Sequence, residues 1–370
     1  MPDPDGQAVE VLSLADVAAA AKAVTSAAVW DFIEGGSGVE RSLRANRAGL
    51  DAVYVLPRIL RDVSRQSAAG VLLGSPVSMP VVTAPMAYQR LVNAEGELAA
   101  ARAAKVADVP FTVSMLSSVS VEELAAAGGT LWFQLYWLRD RAVTLELLER
   151  AEAAGCQALM LTVDVPRMGR RLRDVRNGFT LPPGVTAVHL GGPETSAHRW
   201  QSGASAVAAH TQQIFDPTLS WSDLGWLRER TTMPLIVKGV LDPNDAARAA
   251  GAGVAGLVVS NHGGRQLDGS AAGIDVLPKI REAVDGRCQV YLDGGIRGGG
   301  DVLGALARGA DAVLLGRPIL WGLAAAGERG VNDVLSLLRE EFDHAMILAG
   351  CRDLADVRQL QVVDSRAPMR

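Results

Sequence analysis

Residues 289–318 read QVYLDGGIRGGGDVLGALARGADAVLLGRP. Gln289–Asp293 is a short apolar run, Asp301–Arg308 is built of helix formers, and Ala312–Gly316 is apolar again. Strand, helix and strand in about thirty residues describe a βαβ unit, with parallel strands joined by a right-handed crossover. The same alternation runs back towards the N-terminus. Strands are predicted at Val81–Ala84, Phe111–Ser114, Leu131–Tyr136, Ala158–Asp164, Leu235–Val240 and Gly256–Asn261. Helices are predicted at Glu95–Ala107, Val121–Ala127, Arg141–Ala154, Ser222–Arg230, Asp242–Ala250, Gly273–Val284 and Val331–Leu348. Eight strands with this spacing fit an α/β chain folded as a (β/α)8 TIM barrel, with a doubly wound open sheet as the alternative on pattern alone.

Two intervals break the rhythm. Residues 1–75 read as an N-terminal helical segment: Ser13 and Asp16 resemble a capping box, and a second helix over Ser26–Glu34 stops at Gly35-Gly36. Residues 171–219, after strand four, are rich in Gly, Pro, Ser and Ala and read as a lid insertion, with an unstructured surface loop as the alternative. The whole of 1–370 is expected to form one barrel domain. With 49% hydrophobic and 21% charged residues, disorder and coiled coil are excluded. No run is long and apolar enough for a membrane span. A net charge of −5 argues against nucleic acid or an anionic membrane as partner. The start MPDPDGQAVE has no signal-peptide pattern, and the three cysteines, Cys156, Cys288 and Cys351, are widely spaced. A reduced, cytoplasmic protein without a metal site is expected.

Chemistry in such a barrel sits at the C-terminal strand ends. Here those ends carry Ser114, Gln134 and Tyr136, Thr162 and Asp164, Lys238, Asn261 and His262, Asp293, and Arg317. In DGGIRGGGD and LLGRP, glycines let backbone N–H groups approach an anion, and the following helix adds its dipole. Arg297 and Arg317 can each grip a phosphate with two donors. His262, directly after a buried strand, is a candidate base, and Asp164 would orient it. Lys238 on a barrel-facing strand needs a negative partner. Arg171 and Arg265 could clamp a substrate carboxylate.

The combination LTVDVPRMGRR (161–171), IVKGV (236–240), SNHGGRQLDG (260–269) and DGGIRGGGDV with GRP (293–302, 316–318) resembles the FMN-dependent α-hydroxy acid oxidising family. The resemblance spans about residues 10 to 350. It implies FMN as cofactor and oxidation of a 2-hydroxy acid to a 2-oxo acid. It implies that His262 takes the substrate proton, that Asp164 stabilises the charged imidazole, and that Arg265, Arg171 and Tyr136 bind substrate. Lys238 would face the N1 side of the flavin. Ser114, Gln134 and Thr162 would bind its edge, and the backbone of Ala84, Pro85, Met86 and Ala87 would lie near N5. Asp293 would bind the ribityl chain, and Gly294, Gly295, Arg297, Gly316 and Arg317 would surround the phosphate. Family resemblance also suggests a homotetramer or larger.

Departures from the family pattern bear on substrate. Phe32 in VWDFIEGG replaces a tyrosine usual in that segment, and Leu116 stands where glycolate-oxidising members have tryptophan. With Met86, Tyr88 and Met168, these changes predict a wider, more apolar pocket. An aromatic ring buried there gains about 25 cal/mol per Å² removed from water. The expected substrate is therefore (S)-mandelate or 4-hydroxymandelate, with O2 as acceptor and H2O2 as product. The rivals are a soluble dehydrogenase using another acceptor, a decarboxylating monooxygenase, and a flavin-binding sensor without turnover. The lid stretch NGFTLPPGVTAVHLGGPETSAHRW (177–200) is too polar and too little basic to serve as a membrane anchor.

Overall fold

The computed structural model describes residues 11–191, 196–199 and 205–366. Its centre is a closed parallel barrel. The strands are β1 (Val81–Thr83), β2 (Phe111–Ser114), β3 (Leu131–Tyr136), β4 (Ala158–Thr162), β5 (Leu235–Val240), β6 (Gly256–Val259), β7 (Gln289–Asp293) and β8 (Ala312–Leu315). Each pairs with the next in chain order, and β8 closes on β1 through Val313↔Val81. The fold is the (β/α)8 barrel. Both faces of the strands are buried, which is why they read as near-continuous apolar runs. Val82, Trp132, Met160, Ile236, Val258, Tyr291 and Leu314 fill the barrel, while Val113, Leu159, Leu161 and Leu257 face the helices.

Four strands end where the sequence pattern suggests, and four, β1, β4, β6 and β8, stop one or two residues earlier. Asp164, Asn261 and Gly316 lie beyond the ladders, where the chain turns into the loops of the barrel mouth. The helix expected over Val331–Leu348 reaches back to Arg317, directly after β8, with a break at Ala326-Gly327.

The N-terminal segment is helical only as far as Asp51. Leu14–Val24 and Ala27–Glu34 are capped by Ser13 and Ser26, whose side chains accept from Asp16 N and Val29 N. Arg41–Asp51 follows. After it, Val53–Leu56 alternates half-buried and exposed residues and pairs antiparallel with Gln361–Asp364. Gly70–Leu72 and Ser75–Val77 form a hairpin at the barrel floor, where Leu72 and Val77 pack into the barrel interior. Helix-forming composition thus concealed three short strands between residues 53 and 77.

Among the described residues the insertion after β4 carries two short α-helices, Leu172–Arg176 and Ala206–Ile214. Part of it, residues 192–195 and 200–204, lies outside the described residues. Among the described residues no helix is long and apolar enough to cross a membrane.

Candidate active site

A cavity opens at the C-terminal end of the barrel. The loops after β1, β2, β4, β6, β7 and β8 and the insertion all reach it, and Phe32 and Ile33 are brought there by the helix Ala27–Glu34.

His262 reaches the cavity through an unusual stretch of backbone. His262, Gly263 and Gly264 all have left-handed φ, at 60°, 63° and 77°. The Asn261 side chain holds this turn. Its Oδ1 accepts from Gly264 N (3.0 Å) and from Asn46 Nδ2 (2.8 Å), and its Nδ2 donates to Asn46 Oδ1 (2.7 Å). Asn46 is a supporting residue that the sequence reading missed, because its partner lies far away in the chain.

His262 Nδ1 lies 3.0 Å from Asp164 Oδ1, the geometry for Nδ1–H donation to the carboxylate. The other carboxylate oxygen, Oδ2, is buried without a partner. Burial pushes the imidazole below its usual pKa, and Lys238 adds to this, although Asp164 pulls it up. Burial opposes ionisation of Asp164, but the His262 and Lys238 charges hold its carboxyl below the usual range. The resting pair is a neutral imidazole beside a carboxylate, a base with its counter-charge in place.

Gly239 makes room for that carboxylate. It sits in the irregularity between Lys238 and Val240 with φ 111°, and a Cβ there would lie 2.5 Å from the Asp164 carboxyl carbon. Lys238 pairs with Asp293 Oδ2 at 2.8 Å and donates to Ser260 Oγ at 3.1 Å. Burial alone would lower the ammonium pKa, but Asp293 and Asp164 raise it, so the charge is kept. Asp293 Oδ1 is buried and unpartnered at the cavity. Gln134 accepts from Ser114 Oγ (3.2 Å) and donates to Thr162 Oγ1 (3.0 Å). Ser114 and Thr162 line the cavity, whereas Gln134 sits behind them, fixing both.

Four arginines converge here. Arg265 Nη1 donates to the carbonyls of Phe32, Ile33 and Gly35 (2.8, 3.0 and 2.9 Å). Arg317 donates to Ile33 O (3.0 Å) and Glu34 O (3.3 Å). Both therefore cap the C-terminal end of the helix Ala27–Glu34, where its dipole is negative. Arg171 lies 3.8 Å from Asp174, a long pair in which neither carboxylate oxygen nor Arg171 Nε has a hydrogen bond. The Arg171 and Arg265 guanidinium carbons lie 5.7 and 5.4 Å from the Phe32 ring centre. Arg297 lies over Trp321, 4.6 Å from its ring centre. Burial lowers all four pKa values, that of Arg297 to about 10, and the arginines repel one another. Such a cluster is short of negative charge, and bound anions would relieve it.

The glycine run 298–300 plays a different part from the one its spacing suggests. Gly299 N donates to Glu341 Oε2 (2.7 Å), so that helix end is closed by a protein carboxylate. A Cβ at Gly299 would lie 2.1 Å from Phe342 N, so this glycine serves helix packing. The cavity is lined instead by Gly294 and Gly295, with φ of 90° and 93°, and by Gly316 at the start of the helix after β8.

The apolar side is formed by Met86, Leu116, Val165, Met168, Val207 and Phe215. Residues of the insertion brace the pocket. Phe179 stacks on Phe32 with ring centres 4.4 Å apart, and Phe215 on Tyr136 at 4.5 Å. Burial raises the Tyr136 hydroxyl to about 12, so it stays a donor. Ala84, Pro85 and Ala87 complete the wall after β1.

Fold and site define an acid–base enzyme on a phosphate-binding (β/α)8 barrel. The unpartnered Asp293 oxygen, the open glycine backbone beside Arg297 and Arg317, and the buried lysine fit a phosphorylated flavin. A model of the FMN-dependent dehydrogenase family matches residues 21–364. The chain is 54% identical to 4-hydroxymandelate oxidase of Amycolatopsis orientalis, over 94% of this chain and 97% of that one. It is 46% identical to an L-lactate oxidase of Nostoc sp., over 91% and 94%. It also resembles a crystal structure of mandelate oxidase with (S)-4-hydroxymandelic acid, at TM-score 0.93 and 53% identity, over 95% of this chain and 99% of that one. The chain belongs to the FMN-dependent dehydrogenase family, and FMN is its cofactor.

Proposed function

We propose that this FMN-dependent 2-hydroxy acid oxidase takes an (S)-2-hydroxy acid with an aryl side chain, mandelate or 4-hydroxymandelate. The products are the 2-oxo acid and H2O2. The observation that carries this reading is the apolar wall of Met86, Leu116, Met168, Val207 and Phe215 facing a corner of buried arginines. The names of the relatives, an oxidase of 4-hydroxymandelate among them, support it.

Arg171 and Arg265 hold the substrate carboxylate, and Tyr136 donates to a substrate oxygen. His262 Nε2 accepts the proton the substrate loses, while Nδ1–H stays with Asp164, whose charge stabilises the imidazolium. The chemistry FMN supplies when bound is acceptance of two electrons from the substrate and their transfer to O2. Arg297, Arg317 and the backbone at Gly294, Gly295 and Gly316 hold its phosphate. Asp293 would bind the ribityl chain, and Ser114 and Thr162, ordered by Gln134, would hold the ring edge with Lys238. The Ala84–Ala87 backbone, in the cavity wall, would border the ring. Lys238 keeps a positive charge where negative charge develops.

The barrel, the N-terminal segment and the insertion act as one catalytic unit in a cytoplasmic homo-oligomer. Tyr54 and Val363, paired across the small sheet and 59% and 43% exposed, offer a face for subunit contact.

The test mixes the holoenzyme without oxygen with (S)-mandelate or with glycolate, then admits air. Loss of flavin colour with mandelate, and rapid recovery with peroxide in air, is expected. Bleaching by glycolate alone refutes the aryl pocket, and slow recovery in air refutes the oxidase. His262→Ala should keep bound flavin and lose substrate bleaching.

A further inference from the structure

Tyr88, like His262, lines the cavity with a left-handed backbone, at φ 57°. That conformation is unusual for such a side chain and persists only where the surroundings enforce it. The surroundings do so here. Tyr88 N donates to Leu116 O (3.1 Å), Gln89 N to Glu97 Oε1 (3.0 Å) and Arg90 N to Ser118 Oγ (3.0 Å). Glu97 is wholly buried and also accepts from Ser118 N (2.9 Å) and Ser118 Oγ (2.6 Å). One buried carboxylate thus ties the loop after β1 to the loop after β2 and fixes where the Tyr88 ring stands.

A buried phenol normally finds a hydrogen-bond partner. Tyr88 lines the cavity at 2% exposure, and its hydroxyl makes no hydrogen bond to any described residue. The apolar lining offers it no partner, and the Tyr136 phenol is close enough to be felt by it but makes no hydrogen bond to it. Thr211 also lines the cavity, but its hydroxyl proton points to Val207 O (3.0 Å) and Ala208 O (3.1 Å). Burial holds the Tyr88 hydroxyl far above its ordinary pKa, so it is a neutral group able to donate and accept.

The polar corner of Arg171, Arg265 and His262 takes the reacting end of the substrate, so the side chain extends towards the apolar wall. We infer that Tyr88 is a specificity-determining residue whose free hydroxyl hydrogen-bonds a ring hydroxyl of the substrate, selecting hydroxylated over plain aryl 2-hydroxy acids. This rests on the aryl reading above.

The experiment compares kcat/KM for 4-hydroxymandelate and mandelate in the wild-type holoenzyme and in Tyr88→Phe. The quantity read is the ratio between substrates, whatever happens to either rate. The preference for 4-hydroxymandelate should fall about tenfold, the worth of one neutral hydrogen bond. Calorimetric binding of 4-hydroxybenzoylformate and benzoylformate should show the same loss of selectivity, and Tyr88→Leu repeats the test should the first variant fold poorly. An unchanged ratio overturns the inference, as does a preference that survives Tyr88→Phe and falls in Thr211→Val. If the wild type turns over neither aryl acid, the aryl reading itself has failed.

Discussion

Asp164 acts on His262 both at rest and during the reaction. It raises the proton affinity of His262, while burial lowers it by more, and the imidazole stays neutral at rest. The base must be unprotonated to act, so the acid limb of kcat/KM should lie below the ordinary imidazole value of about 6.5. Replacing the charge separates the two effects. Asp164→Asn keeps a hydrogen-bonding group but removes the attraction, so the limb should move to still lower pH. At the same time kcat should fall on the order of a hundredfold or more, because the imidazolium formed in the reaction loses its counter-charge. A pH–rate profile with retained flavin content checks both signs. A limb that moves upward would show that Asp164 does not act through charge. Lys238 and Asp293 make a second pair with a similar logic. The sequence singled out both residues, but it did not show that they meet each other at 2.8 Å, since β5 and β7 are not neighbours in the sheet.

The elements that carry these residues were legible to different depths. The barrel strands were readable because burial on both faces leaves a continuous apolar run. The hairpin at Gly70–Val77 was not, because three-residue strands show no period and Leu72 makes sense only once the barrel floor exists. His262, Arg265, Arg297 and Arg317 could be found from their places after strands. Asn46, Trp321 and Phe179 could not, because each acts through a partner distant in sequence. Two predictions belong at this scale. Gly239→Ala places a Cβ against Asp164 at a backbone angle L-residues avoid. It should lose about 1–3 kcal/mol of stability to strain and reduce kcat together with it, read by denaturant unfolding and turnover. Full activity would mean that Asp164 can shift without consequence. Leu72→Ala, in the floor, should lose about 2–5 kcal/mol while kcat stays within about twofold, because chemistry sits at the opposite end of the barrel. A large loss of turnover in the folded variant would contradict that separation.

Across the molecule the charge is unevenly placed. The chain carries −5 overall, yet Arg171, Arg265, Arg297, Arg317 and Lys238 gather round one cavity. A cationic cleft with low-dielectric walls focuses field and raises the encounter rate of anions. FMN brings a phosphate of about −1.5 to −2 charge at neutral pH, and the 2-hydroxy acid brings one carboxylate. Salt screens this attraction over the long approach far more than at the buried contact. The apoprotein should therefore bind FMN with an association rate that falls several-fold as the Debye length shrinks from about 30 Å to about 8 Å between 0.01 and 0.15 M salt. The dissociation rate should change little. Riboflavin, which lacks the phosphate, should bind far more weakly and with a nearly salt-independent association rate. Stopped-flow fluorescence quenching of the two flavins provides the measurement. Equal salt dependence for both would place the phosphate outside the arginine cluster. A salt-sensitive dissociation rate would mean that the Arg297 and Arg317 contacts stay open to solvent, against the burial that lowers both of their pKa values.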